Sequence, residues 1–387
     1  MLIERIQNRL ARALESQGSA KAIKNYRGAA LGSSVGLVRK RNEDCCLVAR
    51  ASYSGGSRAA FTVAVVCDGL GGMSEGREAA ILAASAFTAH LFCNQNYSLQ
   101  HRLSPAIEYA NAEIYRRLRG SGGTTLSAVV YGPNIGAMFC HVGDSRIFGI
   151  SSDRVIEQLS RDDTMKALLN RGDTESSAPK DSRLLQFVGM GDEMESQISF
   201  VPPHCRSVLI TSDGAHDVPT SILQRIVSAA AGGSDLIRKL LALSDMLGGQ
   251  DNASAILLPI GVDAEPSDEV RGNELVVILP NDTLAIHTIE LEAGNWSRLP
   301  RTPAEGASEE PVGQIEVPAP RSDSVISSPE KQLPDKTKGR ATKTRKTKRR
   351  SSRAKAAQPD RLPLEDSAEG VDVQFSAPPD QLDENKE

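Results

Sequence analysis

Apolar runs that end or begin at an acidic residue recur along the chain. The run FTVAVVC (61–67) leads into Asp68 and a glycine-rich turn, after which the pattern becomes helical. An acidic residue also lies beside an apolar run at four other points: Asn42-Glu43-Asp44, Gly143-Asp144, Ser212-Asp213 and Asp251-Asn252. Runs rich in β-branched residues and bounded by turn residues are typical of buried strands. We therefore predict strands whose ends carry carboxylates.

Residues 76–92 and 104–119 have apolar positions at helical spacing, which predicts two helices packed on a sheet face. Residues 1–27 carry charges every few positions among helically spaced apolar residues, and we predict a short helical extension. This extension lacks the continuous apolar stretch of a secretory signal, and no apolar run approaches the roughly 20 residues of a membrane span. These features predict a cytoplasmic protein.

Residues 28–262 alternate apolar runs with turn signals and predict the main globular domain. Residues 263–301 contain two strand-like runs around Pro280-Asn281-Asp282, and are either a small β appendage or a docked hairpin. From 302 to 387 the chain is poor in apolar residues, and we expect disorder. A basic block (336–355) precedes an acidic end, which favours a solvated tail whose halves attract each other. Docking of nucleic acid or an anionic surface is the less favoured alternative, because no aromatic residues accompany the basic block.

The composition adds information mainly through the cysteines, which bear on metal binding and on the redox compartment. The chain has 387 residues, a formal net charge of -4 and 40% hydrophobic residues, enough for one large domain or two ordinary ones. Its six cysteines form no CxxC pair, and no cysteine–histidine spacing matches a zinc site. We interpret them as buried thiols in a reducing compartment.

Repeated carboxylates at strand ends predict a metal centre. A single Asp-Gly is an ordinary turn signal, but a buried carboxylate is costly unless it is paired. Strand ends of packed sheets converge at one edge, so several carboxylates there would repel one another unless cations neutralised them. An all-oxygen set favours hard ions such as Mg2+ or Mn2+, and two ions about 4 Å apart bind a phosphate and activate a water.

The motifs, taken in order, resemble one known family. They are RKRNED, VCDGLGGMSEG, SGGTTLSAVV, HVGDSRIF, LSRDD, LLQFVGMGD, ITSDGAHD and GGQDNASAILL, spread over residues 30–260. Together they are similar to the metal-dependent serine/threonine phosphatases of the protein phosphatase 2C type, in their bacterial form. The resemblance implies an α+β fold, with a central β-sandwich of two antiparallel sheets flanked by helices. It also implies hydrolysis of phosphoserine and phosphothreonine in proteins by a metal-activated water, in opposition to a Ser/Thr kinase.

The same resemblance implies roles for individual residues. Two Mn2+ or Mg2+ ions, with a third as an open alternative, would be held directly or through water by seven residues: Glu43, Asp44, Asp68, Gly69, Asp144, Asp213 and Asp251. Asp68 corresponds to the aspartate that bridges the two ions, and Asp144 to the position linked to the third. Arg39 corresponds to the arginine that grips the substrate phosphate, and joins Asp44 and Asp68 as a catalytic residue. Asn252 is expected to orient Asp251.

Two positions depart from the family pattern. Leu70 stands where some animal members have a histidine proposed as general acid, which leaves the proton source for the leaving alcohol open. Met73 stands where many bacterial relatives have histidine, and we interpret it as neutral for the chemistry. Residues 151–185 are expected to form a flap beside the active site. There Asp162 and Asp163 are expected to cap a helix rather than to touch a metal.

Other function classes stay open at this point. The alternative to an active enzyme is a low-activity or inactive regulatory module of the same fold, which would bind a partner through its flap or basic tail. An inactive member would be expected to lose Asp68, Asp213 or Asp251, and this chain has all three. The expected partners of an active enzyme are phosphorylated proteins and a cognate kinase.

Overall fold

Strands form two antiparallel sheets in the part of the chain that this computed structural model describes, residues 1–16, 21–53, 60–132, 136–169, 183–261 and 273–288. In chain order they are β1 (Ala22–Tyr26), β2 (Ala29–Ser34), β3 (Cys45–Ser52), β4 (Phe61–Cys67), β5 (Leu126–Gly132), β6 (Gly136–Val142), β7 (Arg146–Ser151), β8 (Ile156–Gln158), β9 (Gln197–Phe200), β10 (Cys205–Thr211), β11 (Ala253–Pro259), β12 (Asn273–Ile278) and β13 (Thr283–Thr288). The six-stranded sheet has the order β1-β2-β11-β10-β7-β8, and the seven-stranded sheet has the order β13-β12-β3-β4-β5-β6-β9.

Helices cover the outer faces of the two sheets. Those described are α1 (Leu2–Glu15), α2 (Gly76–Cys93), α3 (Leu99–Leu118), α4 (Met165–Leu169), α5 (Asp213–His216), α6 (Thr220–Ala229) and α7 (Gly233–Met246). The helices predicted at 76–92 and 104–119 are confirmed as α2 and α3. Helix α3 begins five residues earlier than predicted, where the Ser98 hydroxyl accepts a hydrogen bond from the His101 N–H at 3.4 Å.

Three hydrophobic clusters define the layers. Along β3, Leu47 packs into a cluster with α1, α2 and α3, while its neighbour Val48 packs into the space between the sheets. Strand β10 alternates in the same way, with Val208 between the sheets and Leu209 against α6 and α7. Because successive strand residues point to opposite faces, each sheet buries both of its faces. The α+β class and the central antiparallel sandwich flanked by helices are confirmed.

Both segments that flank the predicted 28–262 domain contribute strands. Strand β1 pairs with β2, with Tyr26 opposite Ala29. Strands β12 and β13 form a hairpin, and β12 pairs with β3 through Ile278 opposite Val48. Leu275 of this hairpin is fully buried in the core beneath the helices. The domain boundaries themselves remain predictions, and the tail from 302 to 387 lies outside the described residues.

The six cysteines are free thiols, and five of them are buried, as predicted. None of the described helices has the length and apolar character needed to cross a membrane.

Candidate active site

The acidic residues of the seven-stranded sheet lie at one end of the sandwich. Asp44 directly precedes β3 and Asp68 directly follows β4, and the adjoining residues Cys45 and Cys67 are paired across these strands. Asp144 follows β6 in the turn that leads to β7. The antiparallel pairing of neighbouring strands therefore brings these carboxylates to a shared edge.

The six-stranded sheet contributes acidic residues at the same end. Asp213 follows β10 closely, and Asp251 stands just before β11. Thr211, near the end of β10, pairs with Ala255 on one side and with Arg146 on the other. Arg146 opens β7, directly after the turn that carries the carboxylate of the other sheet. Five predicted ligands, drawn from both sheets, thus meet at one end of the molecule.

Asp44 is the most enclosed of these carboxylates, with 1% of its surface exposed. The Ser212 hydroxyl donates a hydrogen bond to Oδ2 of Asp44 at 2.8 Å, and itself accepts one from the Ser254 N–H at 2.9 Å. The second oxygen, Oδ1, is buried and has no hydrogen-bond partner among the described residues. Burial raises the pKa of Asp44 to about 7, opposed by the hydrogen bond from Ser212 and reinforced by the charges of Asp213 and Asp251. A buried, unpartnered carboxylate oxygen among other carboxylates suits a bound cation.

Asp68 is held through its backbone by two threonines. The Asp68 N–H donates to Oγ1 of Thr125 at 2.9 Å, and its carbonyl accepts from the Thr125 N–H at 2.9 Å. The Thr124 hydroxyl donates to the same carbonyl at 2.8 Å. This role of the SGGTTL motif was not predicted from the sequence. Burial raises the pKa of Asp68 well above its ordinary value, and the nearby charges of Asp44 and Asp213 add to the shift.

Two further carboxylates share this electrostatic situation. Burial raises the pKa of Asp213, with repulsion from Asp251 as the next cause. Burial likewise raises the pKa of Asp144 to about 7, followed by repulsion from Asp213 and Asp162. The donor set is therefore all oxygen and short of positive charge. Hard divalent cations fit it, because they would stabilise the ionised carboxylates.

Arg39 lies at the mouth of this acidic cluster. Its Nη2 donates to Oδ2 of Asp251 at 2.8 Å, and 38% of each side chain is exposed. This hydrogen bond is the main reason why the pKa of Arg39 is raised. A Cβ atom added to Gly71 would lie 2.7 Å from Nη1 of Arg39. The glycine-rich turn after β4 thus leaves room for the guanidinium group.

Gly69 allows two backbone segments to approach the turn after β4. A Cβ atom at Gly69 would lie 2.4 Å from the carbonyl oxygen of Gly76 and 2.9 Å from that of Glu43. The turn therefore packs directly against the start of α2 and against the acidic loop before β3. The metal-binding roles of the Gly69 carbonyl and of Glu43 remain predictions.

Asn252 ties the loop before β3 to strand β11. Its Nδ2 donates to the carbonyls of Val35 (2.9 Å) and Arg41 (3.1 Å), and its Oδ1 accepts from the Glu43 N–H at 2.8 Å. The contact with Asp251 comes from the backbone, since the Asn252 N–H donates to Oδ1 of Asp251 at 2.8 Å. The side chain therefore positions the loop, and the predicted orientation of Asp251 by Asn252 would come from the backbone N–H.

Asn252→Ala is expected to lower the free energy of unfolding by about 2–4 kcal/mol, because three hydrogen bonds of a buried side chain are lost. Urea unfolding followed by circular dichroism measures the change. Asn94→Ala is the matched control, since Asn94 is only partly buried and the hydrogen bond from its Nδ2 ends on a helix carbonyl. An equal loss in both variants would contradict the loop-holding role.

The acidic pair of the predicted flap supports the turn that contains Asp144. Oδ2 of Asp163 accepts the Gly143 N–H at 3.0 Å, and the Asp162 carboxylate accepts from Arg146 at 2.7 Å. The cap of α4 is the Thr164 hydroxyl instead. The predicted capping role of the pair is therefore wrong, because pairing between distant segments gives both carboxylates better partners. Residues 170–182 of the predicted flap lie outside the described residues.

Comparisons with known proteins agree with this geometry. The family model described as Protein phosphatase 2C matches residues 40–231. The PPM Ser-Thr phosphatase MsPP from Mycobacterium smegmatis has 22% identity and a TM-score of 0.51, with 62% of this chain and 100% of MsPP covered. The serine/threonine phosphatase Stp1 from Staphylococcus aureus has 21% identity and a TM-score of 0.53, with 63% of this chain and 99% of Stp1 covered. The serine/threonine phosphatase PstP/Ppp from Mycobacterium tuberculosis has 24% identity and a TM-score of 0.50, with 62% of this chain and 98% of PstP/Ppp covered. At these identities the structures show a shared fold, and no curated protein gives a significant match.

Proposed function

Because the chain belongs to the protein phosphatase 2C family, we propose that it hydrolyses phosphoserine and phosphothreonine in proteins at a centre of two Mn2+ or Mg2+ ions. The observation that carries this proposal is the convergence of carboxylates from both sheets around the buried, unpartnered Oδ1 of Asp44. An acidic cluster of this kind has little structural value without a cation, since burial and mutual repulsion both disfavour its ionised form.

We assign the ions to the predicted ligand set of Glu43, Asp44, Asp68, Gly69, Asp144, Asp213 and Asp251. When bound there, divalent cations supply Lewis-acid chemistry that lowers the pKa of water and offsets the charge on a phosphate. The threonine hydrogen bonds to the backbone of Asp68 then serve to fix the position of this central ligand.

The chain's own groups bind the substrate and orient the attacking water. Arg39 presents a planar guanidinium that can donate two parallel hydrogen bonds to phosphate oxygens. Oδ1 of Asp44 is left to accept a hydrogen bond from the attacking water, since the Ser212 hydroxyl already occupies Oδ2. Leu70 offers no proton to the leaving alcohol, so we assign that proton to water at the same site.

The first experiment measures phosphate release from a phosphothreonine peptide with Mn2+, with Mg2+ and with EDTA. We expect release with either metal, none in EDTA, and recovery when metal is returned in excess. If the folded protein released no phosphate with either metal, the enzyme proposal would fail. The regulatory module would then be the better account of the same fold.

Arg39→Ala is expected to lower kcat/KM for the same peptide by about 10- to 100-fold, mainly through KM, because a charged contact to phosphate is lost. Lys40→Ala is the matched control, since Lys40 is its exposed neighbour, and we expect a change within about twofold. Steady-state kinetics separate the two parameters. A similar loss in both variants would indicate general attraction of the anionic peptide rather than a specific grip by Arg39.

The partners follow from the chemistry of the substrate. A Ser/Thr phosphatase needs proteins phosphorylated by a Ser/Thr kinase, so we propose a cognate kinase and its substrates as partners. The cytoplasmic location remains a prediction from the sequence alone, and docking of nucleic acid or an anionic surface by the basic block remains the less favoured alternative.

A further inference from the structure

A second group of potential metal ligands lies at the other end of strand β10. Cys205 opens β10 and Asp213 follows its end, so about 3.3 Å per residue places them roughly 25 Å apart. The Cys205 thiol, the His204 imidazole and the Glu157 carboxylate each offer one ligand atom, and these three atoms lie within 4.8 Å of one another. The group is therefore separate from the acidic cluster of the active site.

The pairing of three strands assembles this group from distant parts of the sequence. Strand β7 lies between β8 and β10, and its Gly149 pairs with Glu157 of β8. A Cβ atom at Gly149 would lie 2.5 Å from Sγ of Cys205. Because Gly149 has no side chain, the Cys205 sulfur occupies that space and comes within 3.5 Å of Oε1 of Glu157. The same Oε1 is 2.6 Å from Nε2 of His204.

Two of the three ligand separations need little adjustment to bind a tetrahedral ion. Zinc–ligand bonds of about 2.0–2.3 Å place neighbouring ligand atoms roughly 3.3–3.8 Å apart. The sulfur–carboxylate separation already falls in this range, and the imidazole–carboxylate separation would have to open by less than about 1 Å. The side chains of His204 and Glu157 are 59% and 44% exposed, so they are free to make this change. Cys205 is 4% exposed, so its sulfur is shielded from solvent, and it lies 3.5 Å from Oε1 of Glu157.

We propose that Glu157, His204 and Cys205 form a Zn2+ site that joins the edge strand β8 to the start of β10. Thiolate, imidazole and carboxylate are the ligands that Zn2+ takes in proteins, whereas the active site offers oxygen alone. On binding, the Cys205 thiol releases its proton to solvent, and the imidazole binds in its neutral form. Water completes the fourth position at the exposed side.

Co2+ binding to the full-length protein tests this site without any activity measurement. Excess Mg2+ is present to occupy oxygen-only sites, and the signal is the near-ultraviolet thiolate-to-Co2+ charge-transfer band. We expect the band in the wild type, its loss when Zn2+ is added, and its absence in Cys205→Ser. Cys93→Ser is the matched control, because Cys93 is partly exposed and lies outside the group, and it should keep the band. His204→Ala should weaken Co2+ binding roughly tenfold or more.

Three results would overturn the site. They are no charge-transfer band in the folded wild type, a band retained in Cys205→Ser, and an unchanged Co2+ affinity in His204→Ala. The first would leave His204 and Glu157 as a surface ion pair only. If Cys205→Ser does not fold, His204→Ala decides alone, because its exposed side chain can be removed without opening the core. Failure here leaves the phosphatase proposal untouched, since phosphate release is never the readout.

Discussion

Asp68→Asn is expected to reduce phosphate release by about a thousandfold or more while making the metal-free protein more stable. The loss of activity follows from its proposed position between the two ions. The gain in stability follows from burial and repulsion, which already disfavour the ionised carboxylate beside Asp44 and Asp213. A neutral amide of the same shape removes that cost, so we expect a higher free energy of unfolding in EDTA.

The two effects are measured on the same preparation. Phosphate release with Mn2+ gives the activity, and urea unfolding in EDTA gives the stability. Asp153→Asn is the matched control, because Asp153 is an exposed aspartate in the turn after β7 and should change neither quantity. An Asp68→Asn protein that kept a large part of its activity would contradict the role of Asp68 as a metal ligand. A loss of stability in EDTA would contradict the cost of burying its ionised carboxylate.

Stabilisation by Mn2+ is expected to grow as pH rises from about 5.5 to about 8, by about 2–4 kcal/mol. The pKa of Asp44 and that of Asp144 are raised from about 3.9 to about 7 by burial. Between these values the metal-free folded protein holds protons that the unfolded chain has released, so its stability from these groups is lost as pH rises. Bound cations stabilise the ionised form and remove this loss, and their contribution is therefore largest above about pH 7.

Thermal unfolding with Mn2+ and with EDTA at each pH measures the difference. Burial lowers the pKa of His141 to about 4 and that of His216 to about 3, so protonation of these histidines destabilises the fold as pH falls. That effect is common to the metal-bound and metal-free protein, and the subtraction removes it. Asp68→Asn serves as the control, with a much smaller effect of Mn2+. Equal stabilisation by Mn2+ at both pH values would contradict the raised pKa values.

The patterns along the chain predicted the presence of helices better than the residues at which the helices begin. Helix α2 was predicted at 76–92 and is observed at Gly76–Cys93, because it is buried along nearly its whole length and has no glycine or proline after Gly76. Helix α3 was predicted to start at Ser104-Pro105, a typical helix beginning. The helix begins at Leu99 instead, with Ser98 as its cap and Pro105 inside it. A local start signal thus loses to the tertiary packing of an earlier turn, including the buried Leu99 and Leu103.

Some parts of the candidate site could also be predicted from the sequence, and others could not. The carboxylates beside strand ends were visible in the sequence, because a strand pattern that stops at an aspartate is a local signal. The hydrogen bonds that fix them were not, since Ser212 reaches Asp44 across 168 residues of sequence. The thiol, imidazole and carboxylate near the start of β10 were equally hidden. Glu157 comes close to Cys205 only because β8 and β10 both pair with β7.

The hairpin of β12 and β13 also has a consequence for solubility. In the described sheet, β12 is the neighbour that satisfies the outer backbone groups of β3. A fragment that ended at the predicted domain boundary, residue 262, would leave β3 as an open edge strand rich in apolar residues. Such edges invite strand-to-strand association between molecules, which native proteins avoid by covering them. The hairpin therefore protects the protein from aggregation by covering the edge of β3, and an expression fragment should retain it through Thr288.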